Sequence, residues 1–526
     1  MIRKVLLYYN TIRYLKWVQV FGRIRFKLSK PKIDKGLCNL VQAKINGSDW
    51  IIPPCSGGTW GQENEKIIFN LFGESLITDK CFWNDSKASY LSLYNRHYFD
   101  SFKNGNRGDW ESVLELWIAQ NPHGSLPGWE PYPLSLRIVN WISWHLATDS
   151  LSSNCLVSLA EQVRYLQKRI EYYLQGNHLF ANAKALVFGG CFFEGKEADK
   201  WLKLGLGILR TEIKEQILSD GMNYEMSPMY HAIFLVDLLD LLNLSNTYSR
   251  SIPEDDTYLI KKTAQKMLRA LKILTHPNGE IALFGDSSRN VVPETESIIN
   301  YAKNLGLKDP GNLKDVEILS ESKYIRLILG DHVLIIKAGN LGPDHLLAHA
   351  HADSLTFELG NSTSRLIVDM GVDRYGVSSE RIKQRGTRVH NTVTIDGQNS
   401  SEVWSGFRVA KRASSLPIEV KKIEGGVHVE CGHTGYHRLS DPVTHIRHFY
   451  FYFDRLEIVD QFKSNKNHEY EFNLYTSKRL NIKFQDKVLT PEESEVCAGF
   501  GMTSPGFNYW KKAGGSSTSF RSTIFF

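Results

Sequence analysis

The spacing of apolar and polar residues divides the chain into a helical part and a strand-rich part. Between residues 110 and 275, apolar residues recur at three- and four-residue steps, which places them on one face of an α-helix. Segments of this kind cover residues 112–120, 134–147, 158–174, 201–218, 232–244 and 260–274. Because helix follows helix over short connections, the pattern predicts an all-α domain of helical hairpins, either a solenoid or a closed toroid.

After a last helix near 294–305, the pattern changes to alternating, β-branched and aromatic runs. Such runs cover residues 324–339, 354–360, 364–371, 390–397, 448–462 and 470–477. Several strands at short spacing without helices between them predict an antiparallel β-sandwich. The change lies near 310–322, and no long linker separates the two parts, so we expect them to pack together and share a cleft.

These patterns predict an α+β multidomain protein. We divide it into a basic N-terminal segment (1–40), a helical domain (41–315) and an antiparallel β-sandwich (316–526).

Composition and charge exclude some classes of protein. A net charge of +6 over 526 residues is too mild to indicate a nucleic-acid groove. Seven cysteines without paired spacing argue against a disulfide framework or a thiolate metal site, and we expect them to be reduced and buried. Aromatic residues make up 12% of the chain, which suits hydrophobic cores and also sugar-stacking surfaces.

The first thirty residues are apolar and basic. Arg13, Lys16 and Arg23 interrupt every apolar run before it reaches the length that spans a bilayer, and no signal-peptide cleavage site follows. We therefore expect a cytoplasmic protein whose N-terminal segment packs as a basic helix on its own domain. Since no acid precedes Asp34, contact with an anionic membrane surface or an assembly partner is the alternative.

The stretch "HAHADSLTFELG" begins with two histidines and an aspartate on alternate residues. Read as a strand, it places His349, His351 and Asp353 on one face. One of these histidines could combine with Asp369 and His390, at the ends of other strands, in a His/Asp/His metal site with a position left for water. Polar strand ends in solvent are the alternative.

Two segments of the helical part also carry polar and aromatic residues. In "QGNHLFANAKAL", Asn177 and His178 stand near the start of a helix. The alternative for Asn177 is that it is an N-cap with no functional role. In "SDGMNYEMSPMYHA", Glu225 and Tyr230 lie in a loop that enters a helix, and Tyr230 could equally be a half-buried aromatic residue.

Signatures of nucleotide-driven chemistry and of the usual hydrolases are missing: the sequence has no P-loop, no HExxH and no GxSxG. A glycoside hydrolase with paired carboxylates stays open, because Glu225 and Asp353 are acids in suitable places.

Several segments together resemble the heparinase II/III-like proteins, which are bacterial polysaccharide lyases and their relatives from capsule and surface-polysaccharide clusters. They are "YLKWVQVFGRIRFKL", "YPLSLRIVNWISW", "NHLFANAKAL", "DGMNYEMSPMYHAIFLVDLLDL", "HAHADSLTFEL", "LIVDMG" and "HNTVTIDG". The resemblance covers most of the chain. It implies an N-terminal incomplete (α/α) toroid followed by the β-sandwich.

The resemblance also implies cleavage of a uronic-acid-containing polysaccharide, such as a glycosaminoglycan, alginate or capsule polymer, by β-elimination. Asn177 and His178 would bind the uronate carboxylate, Tyr230 would transfer protons, and His349 and Tyr375 are further candidates for catalysis. Candidate substrate contacts also include Glu225 and Arg137.

By the same resemblance, His351, Asp369 and His390 would hold a structural zinc ion, with no nucleotide or organic cofactor. The resemblance offers a periplasmic location as the alternative to the cytoplasm. Two other functions stay open: a non-catalytic polysaccharide-binding or assembly protein, and the carboxylate-based hydrolase.

Overall fold

A computed structural model of the protein describes residues 2–29, 31, 49–63, 66–77, 82–104, 110–249 and 251–526. The helices formed by these residues are α1 (Ile2–Ile12), α2 (Trp17–Leu28), α3 (Tyr90–Arg96), α4 (Glu111–Gln120), α5 (Pro131–Thr148), α6 (Ser153–Lys168), α7 (Gly176–Phe192), α8 (Lys196–Gln216), α9 (Pro228–Thr247), α10 (Glu254–Ile273), α11 (Thr295–Asn304) and α12 (Ser379–Gln384). The predicted order of helices before strands is confirmed.

Three short strands precede the helices of the toroid, and the remaining strands follow them. They are β1 (Thr59–Glu63), β2 (Lys66–Leu71), β3 (Glu74–Ile77), β4 (Val316–Leu319), β5 (Tyr324–Leu329), β6 (His332–Lys337), β7 (Phe357–Gly360), β8 (Arg365–Ile367), β9 (Val393–Ile395), β10 (Val403–Trp404), β11 (Arg408–Val409), β12 (Glu419–Ile423), β13 (Gly426–Tyr436), β14 (Val443–Tyr452), β15 (Arg455–Lys463), β16 (His468–Thr476), β17 (Asn481–Phe484), β18 (Lys487–Val488), β19 (Glu492–Gly499), β20 (Met502–Gly515) and β21 (Ser519–Phe525). The small sheet β1–β2–β3 was not predicted.

The helical part is an incomplete toroid around a core rich in tryptophan. Helices α7 and α9 lie inside it and are buried along almost their whole length, which explains why their sequences are apolar on every side. Trp117, Trp141 and Trp144 are fully buried in the same core. Helix α6 ends at Lys168, earlier than its apolar pattern predicts, and the following turns lead to the first residue of α7.

The strand-rich part is an antiparallel β-sandwich. Within the described residues, one sheet has the order β12-β13-β14-β15-β21-β17-β18 and the other β19-β20-β16-β8-β7-β6-β5-β4, with β9 added beside β16. Strands β14 and β15 alternate buried and partly exposed residues, so one face packs on the second sheet. Strand β4 begins at Val316, inside the interval where the sequence pattern changes.

The predicted strand at His349–Asp353 is wrong. Residues 346–356 form turns and irregular backbone, and β7 begins only at Phe357. The reason is that His349 and His351 bind Asp286 in the helical part and Asp353 binds Lys337 of β6, so the side chains do not alternate across a sheet.

The predicted boundary between residues 40 and 41 lies outside the described residues. Among the cysteines that the structure describes, Cys155, Cys191, Cys431 and Cys497 are buried free thiols, and Cys55 is partly exposed. No helix within the described ranges has both the length and the apolarity needed to cross a bilayer.

Candidate active site

A cleft of about 1170 Å³ lies between the helical part and the sandwich. The helical side contributes Asn177, His178 and Tyr230 to its wall, and the sandwich side contributes His349 and Tyr375. The structure therefore brings together all five residues that the sequence proposed for catalysis.

Asn177 lies in the first turn of α7, one residue after Gly176. The backbone of Gly176 has a φ of +57°, and a Cβ there would come within 2.7 Å of Glu225 Oε1, so the turn requires glycine. The N-cap is Gln175, which removes the interpretation of Asn177 as a cap. The backbone N–H of Asn177 donates to Glu225 Oε1 at 3.2 Å, and its side-chain amide lies 3.5 Å from the Tyr132 hydroxyl.

The His178 ring packs against that of Tyr132, with ring centroids 4.4 Å apart and the two planes tilted by 32°. Its Nδ1 lies 3.2 Å from a carboxylate oxygen of Glu171. Burial disfavours the charged ring, but the neighbouring Glu171 carboxylate outweighs it and raises the pKa of His178 above its ordinary value. An imidazole whose charged form Glu171 favours and an amide donor therefore stand side by side on the cleft wall, an arrangement suited to a bound carboxylate.

Tyr230 enters the cleft from the first turn of α9. The Ser227 hydroxyl caps this helix by accepting from the Tyr230 N–H at 3.3 Å. The Tyr230 hydroxyl lies 3.0 Å from that of Tyr375, and its ring stacks on His349 at 3.7 Å. Burial, reinforced by Tyr375, raises the pKa of Tyr230 well above its ordinary value, so the phenol is neutral and fit to donate a proton.

His349 is held between two carboxyl groups. Its Nδ1 lies 3.0 Å from Asp286 Oδ2 and its Nε2 lies 3.3 Å from Glu225 Oε2. Burial raises the pKa of Glu225 above its ordinary value. Glu225 thus links Asn177 to His349 from behind the cleft wall; it is itself buried and does not line the cleft, where a substrate contact was expected.

Asp286 is a residue that sequence reasoning missed. It is fully buried, accepts two hydrogen bonds from Arg381 at 2.6 and 2.7 Å, and contacts His351 Nε2 at 2.8 Å as well as His349. Although burial opposes ionisation, the Arg381 guanidinium holds the pKa of Asp286 well below its usual range. The ionised Asp286 therefore orients both histidines of the His349–His351 pair.

The three predicted zinc ligands lie close together. His390 Nδ1 is 2.8 Å from Asp369 Oδ1, and the His351 and His390 rings are 5.2 Å apart. Nδ1 of His351 and Nε2 of His390 are buried without a hydrogen-bond partner. Yet within the described residues no group of three or more His, Cys, Asp or Glu side chains is arranged to hold a metal ion. The zinc site stays a prediction.

The expected substrate contact of Arg137 is wrong. Arg137 is fully buried in the toroid core, where it donates to Gln162 and to the Gly128 carbonyl and lies over the Trp117 ring at 3.9 Å. It does not line the cleft. Its position on an amphipathic-looking helix concealed the fact that α5 is buried on both sides.

A row of tyrosines leads from the rim of the cleft to Asn177 and His178. Successive ring centroids of Tyr90, Tyr94, Tyr98 and Tyr132 lie 4.8, 6.3 and 6.0 Å apart. All four line the cleft, and the Glu130 carboxylate accepts from the hydroxyls of both Tyr90 and Tyr94. We call these four residues the tyrosine row; flat rings in such a row suit the apolar faces of sugar units.

The two parts of the chain match two family models. The model described as "Heparinase II/III N-terminus" matches residues 77–305, and the model described as "Heparinase II/III-like, C-terminal" matches residues 312–499.

Among curated proteins, the chain is similar to a heparin-sulfate lyase of Pedobacter heparinus, with 26% identity over 325 residues that cover 55% of this chain and 48% of the relative. It is also similar to a heparin-sulfate lyase of Bacteroides stercoris, with 29% identity over 400 residues, covering 69% of this chain and 58% of the relative. The chain spans about half the length of the curated relatives it matches.

Among solved structures, the chain resembles one described as heparinase III, with a TM-score of 0.67 and 20% identity, over 87% of this chain and 80% of the other. It also resembles a heparan sulfate lyase from Pedobacter heparinus, with a TM-score of 0.54 and 20% identity, over 86% and 79% of the two chains. At these identities the likeness shows a common fold, a toroid followed by a β domain.

Proposed function

The chain belongs to the heparinase II/III-like family, and from this premise we propose that it is a lyase that cleaves an acidic polysaccharide at a uronic acid by β-elimination. The observation that carries the proposal is the meeting of Asn177, His178, Tyr230, His349 and Tyr375 in one cleft.

β-Elimination has three chemical requirements. The uronate carboxylate must be neutralised so that the C5 proton becomes acidic, a base must take that proton, and an acid must protonate O4. The electron pair of the broken C5–H bond forms the C4=C5 double bond while the bond from C4 to O4 breaks. The products are an unsaturated uronate and a chain with a free hydroxyl group.

Asn177 and His178 supply the first requirement. The amide of Asn177 donates hydrogen bonds, and Glu171 favours the cationic form of His178, so both stabilise negative charge that grows on the carboxylate. Both residues stand at the N-terminal end of α7, which is the positive end of the helix dipole and therefore also stabilises this negative charge.

Tyr230 and His349 supply the proton transfers. Neutral Tyr230 can give its proton to O4, and the Tyr375 hydroxyl, 3.0 Å away, can return one. His349, stacked on Tyr230 and oriented by Asp286, is the candidate for the group that takes the C5 proton.

The alternative function, a carboxylate-based hydrolase, is less favoured because its two candidate acids, Asp353 and Glu225, are buried away from the cleft. Both oxygens of Asp353 accept from Lys337 in the buried interior, at 2.9 and 2.7 Å, and Glu225 lies behind the cleft wall. Neither residue lines the cleft.

The direct test is ultraviolet absorbance during incubation with heparan sulfate, hyaluronan, alginate and bacterial capsule polysaccharide. We expect absorbance to rise with at least one polymer as the unsaturated product forms, and Tyr230→Phe to suppress the rise while leaving glycan binding intact. A flat trace with every polymer contradicts the lyase. Binding without cleavage, unaffected by Tyr230→Phe, would identify a non-catalytic polysaccharide-binding protein.

Zinc at His351, Asp369 and His390 is a further proposal. Histidine nitrogens and a carboxylate oxygen are ligands that zinc prefers, and the two partnerless ring nitrogens support it. No catalytic step depends on it, and a bound ion would serve to fix the segments behind His349.

A further inference from the structure

The two N-terminal helices carry their apolar residues on the outside. In α1, Val5, Tyr9 and Ile12 are exposed while Asn10 is buried, and in α2 the buried residue is Gln19. A surface helix of a soluble domain normally shows the opposite arrangement, with its apolar face toward the core.

The outer face of α2 is a continuous apolar stripe. Trp17, Phe21, Ile24 and Leu28 follow one another at steps of four, three and four residues and therefore lie on one side of the helix. They are 77%, 63%, 51% and 80% exposed. Gln19, two residues after Trp17, lies on the opposite side of the helix and is buried against the protein.

Specific contacts hold α2 in this orientation. The Gln19 amide donates to the His345 carbonyl at 3.2 Å, and Arg169 donates to the carbonyls of Phe26 and Ser29 at 2.7 and 2.8 Å. At Gly22 the helix approaches Tyr173 so closely that a Cβ would meet its backbone and Cβ at 3.2 to 3.4 Å. The side of α2 that carries Gln19, Gly22 and Phe26 is thus bound to the protein, and the apolar stripe is left outside.

Helix α1 is fixed in the same way to the sandwich. The Trp404 indole donates to the Thr11 hydroxyl at 3.1 Å, and Tyr8 packs edge-on against the Trp404 ring at 4.8 Å. The pair α1–α2, which we call the N-terminal hairpin, is therefore held against both the helical part and the sandwich.

The charge of this surface indicates what covers it. Lys4, Arg13, Arg23, Arg25 and Lys27 are exposed. The first acidic residue of the chain is Asp34. On α2, Arg25 and Lys27 stand on either side of the apolar stripe, the positions from which basic side chains reach lipid phosphates when a helix lies flat at an interface.

We propose that the N-terminal hairpin binds the surface of an anionic lipid bilayer. Trp17, Phe21, Ile24 and Leu28 enter the boundary between headgroups and acyl chains, and the flanking cations contact the acidic headgroups. A second copy of this chain fits the surface poorly, because two like-charged faces would meet. The proposal does not depend on the lyase activity.

The residues that α2 contacts lie close in sequence to residues of the cleft wall. Tyr173, against which α2 packs, stands four residues before Asn177, and His345, which Gln19 contacts, stands four residues before His349. Binding through the hairpin therefore gives the cleft a fixed orientation relative to the membrane.

The test is flotation of the full chain with vesicles of phosphatidylcholine alone and of phosphatidylcholine mixed with phosphatidylglycerol. We expect binding only to the anionic vesicles. The double variant Trp17→Glu/Phe21→Glu should abolish binding, and Arg25→Gln/Lys27→Gln should weaken it roughly ten- to thirty-fold and reduce its dependence on salt.

Matched controls are Tyr258→Glu and Val488→Glu, which place acids at exposed apolar residues on α10 and β18 and should float like the wild type. Circular dichroism melting shows whether each variant is folded. Absence of flotation with anionic vesicles overturns the proposal, as does binding that survives Trp17→Glu/Phe21→Glu. A dimer in light scattering that the double variant dissociates, without vesicle binding, would instead assign the surface to self-association and also overturn it.

Discussion

The hydroxyl groups of Tyr230 and Tyr375 lie 3.0 Å apart, although 145 residues separate them in the chain. Tyr230 belongs to the toroid and Tyr375 to the sandwich, so the contact exists only when the two parts are docked. Two neutral phenols in hydrogen-bond contact form a short path along which a proton can move toward a leaving oxygen.

We predict that Tyr230→Phe lowers kcat by at least about a hundredfold, as expected for loss of a general acid, with little change in stability or glycan affinity. Tyr375→Phe should cost less, because it removes only the group that returns the proton. Initial rates at saturating polymer, together with binding measured by calorimetry, check both variants. Near-normal turnover of Tyr230→Phe would move the acid role to another residue.

The second prediction concerns Asp286, whose carboxylate is the partner of the buried Arg381. Asp286→Asn leaves that guanidinium without a counter-charge, so we expect a loss of about 3 kcal/mol or more in the free energy of unfolding. Activity should also fall, because His349 loses the group that orients it.

Chemical denaturation measures the stability change. The matched control is Asp344→Asn, which breaks the more exposed pair with Arg412 and should cost less than about 1 kcal/mol. If the two variants are equally stable, Asp286 and Arg381 do not form the buried pair described.

Much of the fold could be predicted because helices and strands follow local periodicity. The apolar spacing of α8 and α10 and the alternation of β14 and β15 are visible in short windows of sequence. The irregular segment at His349 was not predictable in this way, because its conformation depends on Asp286, more than sixty residues earlier.

Only those residues of the candidate site that stand in recognisable motifs could be predicted from the sequence. Asn177, His178 and Tyr230 stand in recognisable segments, and the structure places all three in the cleft. Asp286 and Arg381, 95 residues apart, carry no local sign of their pairing and look like ordinary surface charges. Arg137 was wrongly predicted to contact substrate, because an arginine inside a helix gives no local sign that it is fully buried.

The third prediction is a pH effect at His178. Its folded pKa is raised by Glu171 against the opposing effect of burial. A raised pKa means that the stabilisation is fully present below the unfolded value, near 6.5, and is lost as the pH rises through the folded value. Substrate affinity should decline over the same window, because the imidazole loses the charge that attracts the uronate.

Unfolding free energies of the wild type and His178→Gln, measured from pH 5 to pH 9, test this, and we expect the difference between them to shrink as the pH rises. His437→Gln, at an exposed position, serves as the control and should follow the wild type. A difference that is constant across the range would refute the link to the imidazole charge.

The fourth prediction concerns the tyrosine row. Replacing Tyr90 and Tyr94 by Ala removes two ring faces at the outer end of the cleft and should raise KM by about three- to tenfold per ring, with kcat changed little. Steady-state kinetics on long and short fragments of the same polymer should show the effect chiefly on long fragments, which reach the rim.

The control for the row is Tyr258→Ala, an exposed tyrosine on α10, which should leave both constants unchanged. A fall in kcat of the size expected for Tyr230→Phe would place the outer tyrosines in the chemistry instead of in binding.

The last prediction concerns the partnerless nitrogens of His351 and His390. Two buried imidazole nitrogens without hydrogen-bond partners are costly, and a zinc ion shared with Asp369 would satisfy both. We therefore expect elemental analysis of protein purified without added metal to find one zinc per chain.

His390→Ala should lower both zinc content and melting temperature, whereas His437→Ala should change neither. Added zinc should restore stability only in proteins that keep His390, because the ion needs this histidine as a ligand. A wild type free of metal, with a melting temperature unaffected by a chelator, would leave His390 as a buried partner of Asp369 alone.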